Sequence, residues 1–161
     1  MTDLAAIEDI RSLKYRYLRA LDLKNWDEFA GTLAEDATGA YGSPSGGGPL
    51  KFDSRDAIVG YMRSALENDI ITVHVGNHPV IEVDGETASG TWCLEDTVIV
   101  PQYGVMIRGA AYYHDRYRRI DGRWYIAHTG YDRIYEASMP LQDLGFRLTA
   151  NRWADRSPDR G

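Results

Sequence analysis

Leu4, Ile7, Ile10, Leu13, Tyr17 and Leu21 recur at three- and four-residue spacing, which predicts an amphipathic helix with Tyr17 on its buried stripe. Asp22 falls at the C-terminal end of that helix, flanked by Leu21 and Leu23. The helix dipole there is negative and favours cations, so the carboxylate calls for a donor such as a histidine, an arginine or a tyrosine hydroxyl. The plainer alternative is a solvated acid in an interhelical turn. Asn25 then caps a second helix, with Glu28 completing a capping box and Trp26, Phe29, Ala30 and Leu33 on one face. A brief strand is expected at 38–41, running into Ser-Pro-Ser-Gly-Gly-Gly-Pro at 43–49, the composition of a flexible loop over a pocket mouth. Asp53 or Ser54 starts a third helix, with Ile58, Tyr61, Met62, Ala65 and Leu66 on one face and an end near Asn68.

From Ile70 the period changes to two and β-branched residues dominate, with Asp84-Gly85 and Asp121-Gly122 as hairpin turns. Strands are expected near 70–76, 79–83, 87–100, 105–119 and 123–135, with a turn at 101–104. Three helices ahead of a five-stranded, curved, mostly antiparallel sheet predict an α+β fold, a cone-shaped α+β barrel with the helices packed on one sheet face around a pocket. The whole chain, 1–161, is read as one domain with its core at about 3–137. The tail, about 138–161, is polar after Asn151 and is expected to fray there.

Parity decides which polar groups see the pocket. In the strand at 87–100, Ala88, Gly90, Trp92, Leu94, Asp96 and Val98 share a face that Trp92 and Leu94 mark as inner. Asp96 therefore points inward and Glu95 outward. An inner acid must meet a donor, unless the strand end already reaches water. In the strand at Ile70 the sets Ile70, Thr72, His74 and Ile71, Val73, Val75 leave the inner face open. A lone strand histidine is more often a satisfied core or rim residue than a catalyst. His78 lies beyond Gly76-Asn77 and beside Pro79, where a bulge or turn is expected.

Composition narrows the function classes. With 43% apolar residues and eleven tyrosines, 161 residues suffice for one sizeable core. A net charge of −6 argues against nucleic-acid and anionic-membrane partners and leaves small molecules or proteins. The single cysteine, Cys93, forms no internal disulfide, the start MTDLAAIEDI lacks the regions of a secretory leader, and no apolar run reaches about 18 residues, so a soluble cytoplasmic protein is expected. The spacing of His74 and His78 matches no zinc motif, and no nucleophile elbow, phosphate-cradling glycine motif or dinucleotide fingerprint occurs, so neither metal nor cofactor is expected.

AIEDIRSLKYRYLRALDLKNWDEFAGTLAEDA, then TVHVGNHPVIEVDGETASGTWCLED and RIDGRWYIAHTGYDRIYE, resemble the SnoaL-like branch of the nuclear-transport-factor-2-like superfamily over about residues 5–137. The resemblance is closest to the bacterial bile acid 7α-dehydratases and more distant to the scytalone dehydratases and hexachlorocyclohexane dehydrochlorinases. It implies an elimination in a conical pocket without metal, with a tyrosine five residues before an aspartate at Tyr17 and Asp22, a histidine at His74 and a second acid at Asp96. Tyr41 and Arg133 fall on supporting tyrosine and arginine positions. The loop at 43–49 and the Pro101–Gly109 segment differ from the bile acid enzymes, and the further histidine of scytalone dehydratases meets Ala110 or its neighbours.

The chemistry explains the set. Removing a proton next to a carbonyl and expelling a hydroxyl needs a base, an acid for the leaving oxygen and stabilisation of an enolate. His74 is the residue of this group whose type titrates near neutrality, Asp22 would fix its tautomer, Tyr17 and Tyr41 would donate to an oxyanion or leaving oxygen, and Asp96 would orient His74 or handle a second proton. Trp92 and Arg133 complete the expected substrate contacts. The expectation is a cofactor-independent dehydratase, a lyase acting on a cyclic, mostly apolar, steroid-like or polyketide-like hydroxy ketone, working as a homodimer or homotrimer. The alternatives are an isomerase or dehydrohalogenase in the same pocket, or a non-catalytic module for ligand binding or assembly.

Overall fold

The computed structural model of the chain describes residues 3–42 and 48–154. Helix α1 spans Leu4–Asp22, opened by Asp3, whose side chain accepts from Ala6 N at 3.0 Å. Ile10, Leu13, Tyr17, Leu18 and Leu21 are buried along it, whereas Leu4 is exposed and Ile7 half-buried. Helix α2, Trp26–Ala30, starts at Asn25, whose side chain accepts from Glu28 N as expected; the Glu28 carboxylate accepts from the Asn25 side-chain amide, because the Asn25 backbone N–H donates to the Ala20 carbonyl, so the capping box is only half formed. Helix α3, Arg55–Ala65, is capped by Ser54 and ends before Asn68; its C-cap is Leu66, and Ile58 is its fully buried residue.

Six strands form one sheet: β1 (Leu33–Tyr41), β2 (Leu50–Phe52), β3 (Ile71–Asp84), β4 (Thr87–Val100), β5 (Val105–Ile120) and β6 (Arg123–Pro140), in the order β2-β1-β6-β5-β4-β3. The expected count of five strands is corrected in three ways. Strands 70–76 and 79–83 are one strand, β3, interrupted by a register shift between Asn77 and Val80 where His78 takes φ 31. The brief strand at 38–41 is the second half of β1, and Leu33, expected on α2, opens it. β2 is an addition. β1 pairs antiparallel with β2 but parallel with β6, Thr38 facing His128 and Ala40 facing Gly130. That parallel pairing joins distant segments and leaves no local signature. Gly130 permits it: a Cβ there would stand 2.7 Å from the Ala40 carbonyl oxygen.

β4 and β5 begin and end almost where expected because their turns are specified locally. Gly85, Asp121 and Gly122 adopt positive φ at the hairpins, and Gly104, at φ 60, closes the turn Pro101–Tyr103. β6 extends beyond 135 to Pro140. The expected fraying after Asn151 is also corrected for 151–154, since Asn151 donates to the Asp69 carbonyl at 2.8 Å and Trp153 is buried with Lys24 Nζ 4.7 Å from its ring centroid. Residues 43–47 of the glycine loop and residues 155–161 lie outside the described part. Among the described residues no helix is long and apolar enough to cross a membrane.

α1 lies against β3 and β6, while α3 lies against β1. The inner face of β5 grades from large to small, with Tyr117, Asp115 and Tyr113 at one end and Ala111 and Gly109 at the other. Side chains thus fill the narrow end of the cone and leave the wide end hollow.

Candidate active site

At the wide end is a cavity of about 240 Å³. Leu21, Met62, Leu66 and Val98 supply apolar wall, Tyr41, Tyr61, Tyr113 and Tyr131 supply rings, and Thr72, His74, Asp96 and Arg133 supply polar groups. Gly42 and Leu50, on either side of the loop, line it as well.

The even residues of β3 face inward, which settles the parity left open by the sequence: Thr72 is buried and His74 partly buried, whereas Val73 and Val75 are exposed. The carboxylate of Asp22 arrives from the end of α1 and accepts three hydrogen bonds. The Thr72 hydroxyl donates to Oδ1 at 2.8 Å, the His74 backbone N–H donates to Oδ2 at 2.8 Å, and His74 Nδ1 lies 2.6 Å from Oδ1. Because a carboxylate only accepts, Nδ1 is the donor in this contact, and in the neutral ring Nε2 then carries the lone pair. These donors answer the question raised by an acid at a helix C-terminus. Gly76 leaves room for Leu18 of α1, since a Cβ there would stand 2.8 Å from Leu18 Cδ1 and that side chain would have to shift.

Asp96 does face inward and Glu95 does face outward. The donor that Asp96 meets is Arg133, with Nη1 2.5 Å from Oδ1 and Nη2 3.0 Å from Oδ2. Asp96 and His74 are register partners across β3 and β4, but the Asp96 carboxylate is engaged by the guanidinium, so orienting His74 falls to Asp22. Arg133 in turn lies 3.3 Å from Glu136 and 4.8 Å from the Tyr131 ring centroid. Burial opposes its charge, but the hydrogen bonds and attraction of Asp96 outweigh that and hold the guanidinium above its ordinary range. A role for Arg133 in gripping a substrate is therefore narrowed: its fork is already closed on a carboxylate.

The Tyr17 hydroxyl is 2.8 Å from that of Tyr41, which lines the cavity. Tyr17 itself is buried behind the wall, its ring 4.9 Å from that of Phe29. Burial pushes the phenols of Tyr17, Tyr41 and Tyr113 well above their usual range, keeping them as neutral donors. Trp92, expected as a substrate contact, is fully buried away from the cavity lining and donates from Nε1 to the Tyr117 hydroxyl at 2.8 Å. It is a core residue because Gly90 and Gly76 beside it leave room for Tyr117 and Leu18 to close over the indole.

Several functional-looking groups escaped the sequence reading. Lys14 is completely buried on the α1 stripe, 2.7 Å from the equally buried Asp115 and 3.4 Å from the centroid of the Tyr113 ring. Burial pushes its ammonium down while Asp115 pulls it back up. Asp115 also accepts from the Tyr117 hydroxyl at 2.8 Å. The parity argument that found Asp96 would have found Asp115, Tyr113 and Tyr117 had it been carried into β5, and Lys14 lies four residues after Ile10 and three before Tyr17. Among the described residues no group of three or more His, Cys, Asp or Glu is gathered as a metal ion would require.

Solved structures similar to this chain share its fold. The hexachlorocyclohexane dehydrochlorinase of Novosphingobium barchaimii matches with a TM-score of 0.73 and 18% identity, over 91% of this chain and 96% of that one. A scytalone-dehydratase-like protein from Novosphingobium aromaticivorans matches at 0.72 and 16% identity, over 99% and 97%. A protein of unknown function from Mycobacterium tuberculosis matches at 0.66 and 22% identity, over 80% and 72%. The sequence model of the SnoaL-like domain matches residues 2–130. With that match over most of its length, and with helices capping a curved sheet around an open-ended cavity, the chain belongs to the SnoaL-like domain family.

Proposed function

We propose that the protein is a cofactor-independent dehydratase that eliminates water from a compact, cyclic, mostly apolar hydroxy ketone. The observation that carries this reading is the Asp22–His74 pair, joined at 2.6 Å, with His74 in the wall of a cavity built mostly of apolar and aromatic side chains. In the proposed reaction Nε2 of His74 takes the proton on the carbon next to the carbonyl. The C–H electron pair passes into an enolate that the Tyr41 hydroxyl, backed by Tyr17, stabilises by donation. The C–O bond then breaks as the C=C bond forms, and the imidazolium returns its proton to the departing hydroxyl, which leaves as water. Asp22 stabilises the transient imidazolium and holds the ring. The Asp96–Arg133 pair is assigned to shaping the polar side of the cavity.

The cavity volume, about 240 Å³, lies below the roughly 300–1,000 Å³ usual for ligand sites, which favours the smaller members of the steroid-like and polyketide-like class expected from the sequence. The dehydratase and dehydrochlorinase named among the similar structures make elimination reactions the natural class to test first. The test is a mass-spectrometric screen of cyclic hydroxy ketones and halogenated analogues with the purified protein. Loss of the mass of water, abolished by His74→Ala, supports the proposal. Loss of hydrogen halide alone, or a shifted double bond without loss, replaces it with dehydrohalogenase or isomerase activity, and tight binding without turnover replaces it with a ligand-binding role.

A further inference from the structure

His74 lines two concavities, and Asp22 lines the second of them. One is the cavity already described. The other is a surface groove on the opposite side of the pair, between α1 and β3, lined by Tyr15, Leu18, Arg19, Leu23, Val75 and Gly76. The side chains of His74 and Asp22 keep 13% and 20% of their surface exposed, against 7% and 4% for Arg133 and Asp96 across the cavity. The Nδ1···Oδ1 bond thus lies in a thin wall with the substrate space on one side and solvent on the other.

We infer that this groove is a proton port, the route by which the dyad exchanges hydrogen with water while the cavity is occupied. The inference rests on the proposed dyad but not on the identity of the reaction. A ligand that fills an apolar, ring-lined cavity displaces its water. A base that could reach solvent only through the cavity would then hold its hydrogen until the ligand left. Asp22 lines the groove, so once Nε2 has taken a proton the imidazolium releases its Nδ1 hydrogen through the Asp22 carboxylate to groove water and is left neutral, and a hydrogen from water returns by the same path. The exchange is a balanced proton transfer and needs no other reactant. The groove mouth is flanked by Leu23 and Val75, both more than two-fifths exposed, so its aperture can be changed from outside without entering the cavity.

The test follows the Nδ1 hydrogen of His74 by NMR in protein labelled with ¹⁵N at histidine, measuring its exchange with water. Val75→Trp and Leu23→Trp cap the groove from two separate elements, and Leu50→Trp narrows the cavity mouth; each variant is checked for a native amide spectrum. Slowing by about tenfold or more in both groove variants, with less than about a twofold change in Leu50→Trp, is expected. Slowing confined to Leu50→Trp places the route through the cavity and overturns the inference, and equal rates in all four proteins assign exchange to unfolding and overturn it too. The measurement uses no substrate. Failure of the dehydratase screen therefore leaves the port standing, and failure of the port leaves the dehydratase reading standing.

Discussion

Arg133 occupies the space that a side chain on Gly109 would fill: a Cβ there would stand 2.5 Å from Nη1 and 3.0 Å from the Tyr135 carbonyl oxygen. Gly109 is also the register partner of Asp96. The missing side chain on β5 is therefore what lets the guanidinium from β6 lie across the strand and reach the carboxylate on β4. Gly109→Ala should destabilise the fold by about 1–3 kcal/mol through overpacking. Gly60→Ala, in α3 with nothing within 4 Å of the new methyl, should stabilise it by about 0.5–1 kcal/mol. Urea denaturation of both variants checks the contrast, and an equal response at the two glycines would remove Gly109 from the account of Arg133.

The Asp22–His74 contact makes the two side chains one functional unit. His74→Ala and Asp22→Asn should each lower kcat by about three orders of magnitude, and the double variant should fall little further. Fully additive losses in steady-state kinetics would show two independent contributions and dissolve the dyad.

Neighbouring acids on β4 should respond in opposite ways. Glu95→Gln, on the exposed face, should change stability by no more than about 0.5 kcal/mol. Asp96→Asn deprives a buried guanidinium of its charged partner and should cost about 1.5–3 kcal/mol. Chemical denaturation reads both, and similar values would contradict the inward placement of Asp96.

The buried phenols predict alkaline lability. Burial raises the folded-state pKa of Tyr17, Tyr41, Tyr113 and Tyr117 above the ordinary tyrosine value of about 10. Between about 10 and the raised values the unfolded chain has lost protons that the folded chain keeps, so stability is fully present below about pH 10 and falls as pH rises beyond it. A spectrophotometric titration should show these four tyrosines ionising together with loss of circular dichroism. Smooth ionisation of all eleven tyrosines without unfolding would refute the burial argument.

What could be read from the sequence follows the range of the interactions. The caps at Asn25 and Ser54, the hairpins at Gly85 and Gly122 and the inward turn of Asp96 all depend on residues a few positions apart. The parallel pairing of β1 with β6 does not, and it accounts for the strand that was shortened and the sheet that was undercounted. At the site, Asp22 and His74 stood out because each was locally anomalous or chemically apt. Trp92 misled because a large inner residue marks the core as readily as the pocket, and only packing over Gly90 tells the two apart. Lys14 and Asp115 were hidden for the converse reason: each looked like ordinary surface charge until α1 and β5 met.

β3 ends the sheet, so its outward backbone groups have no neighbouring strand. Asp22 accepts the His74 N–H on that open side. The same carboxylate that would orient a base therefore also blunts a strand edge on which another chain could pair. Removing that acid would therefore expose the edge as well as unseat the imidazole. An aspartate there marks a protected edge; an imidazole facing it across the wall is the more discriminating trace of a working catalyst.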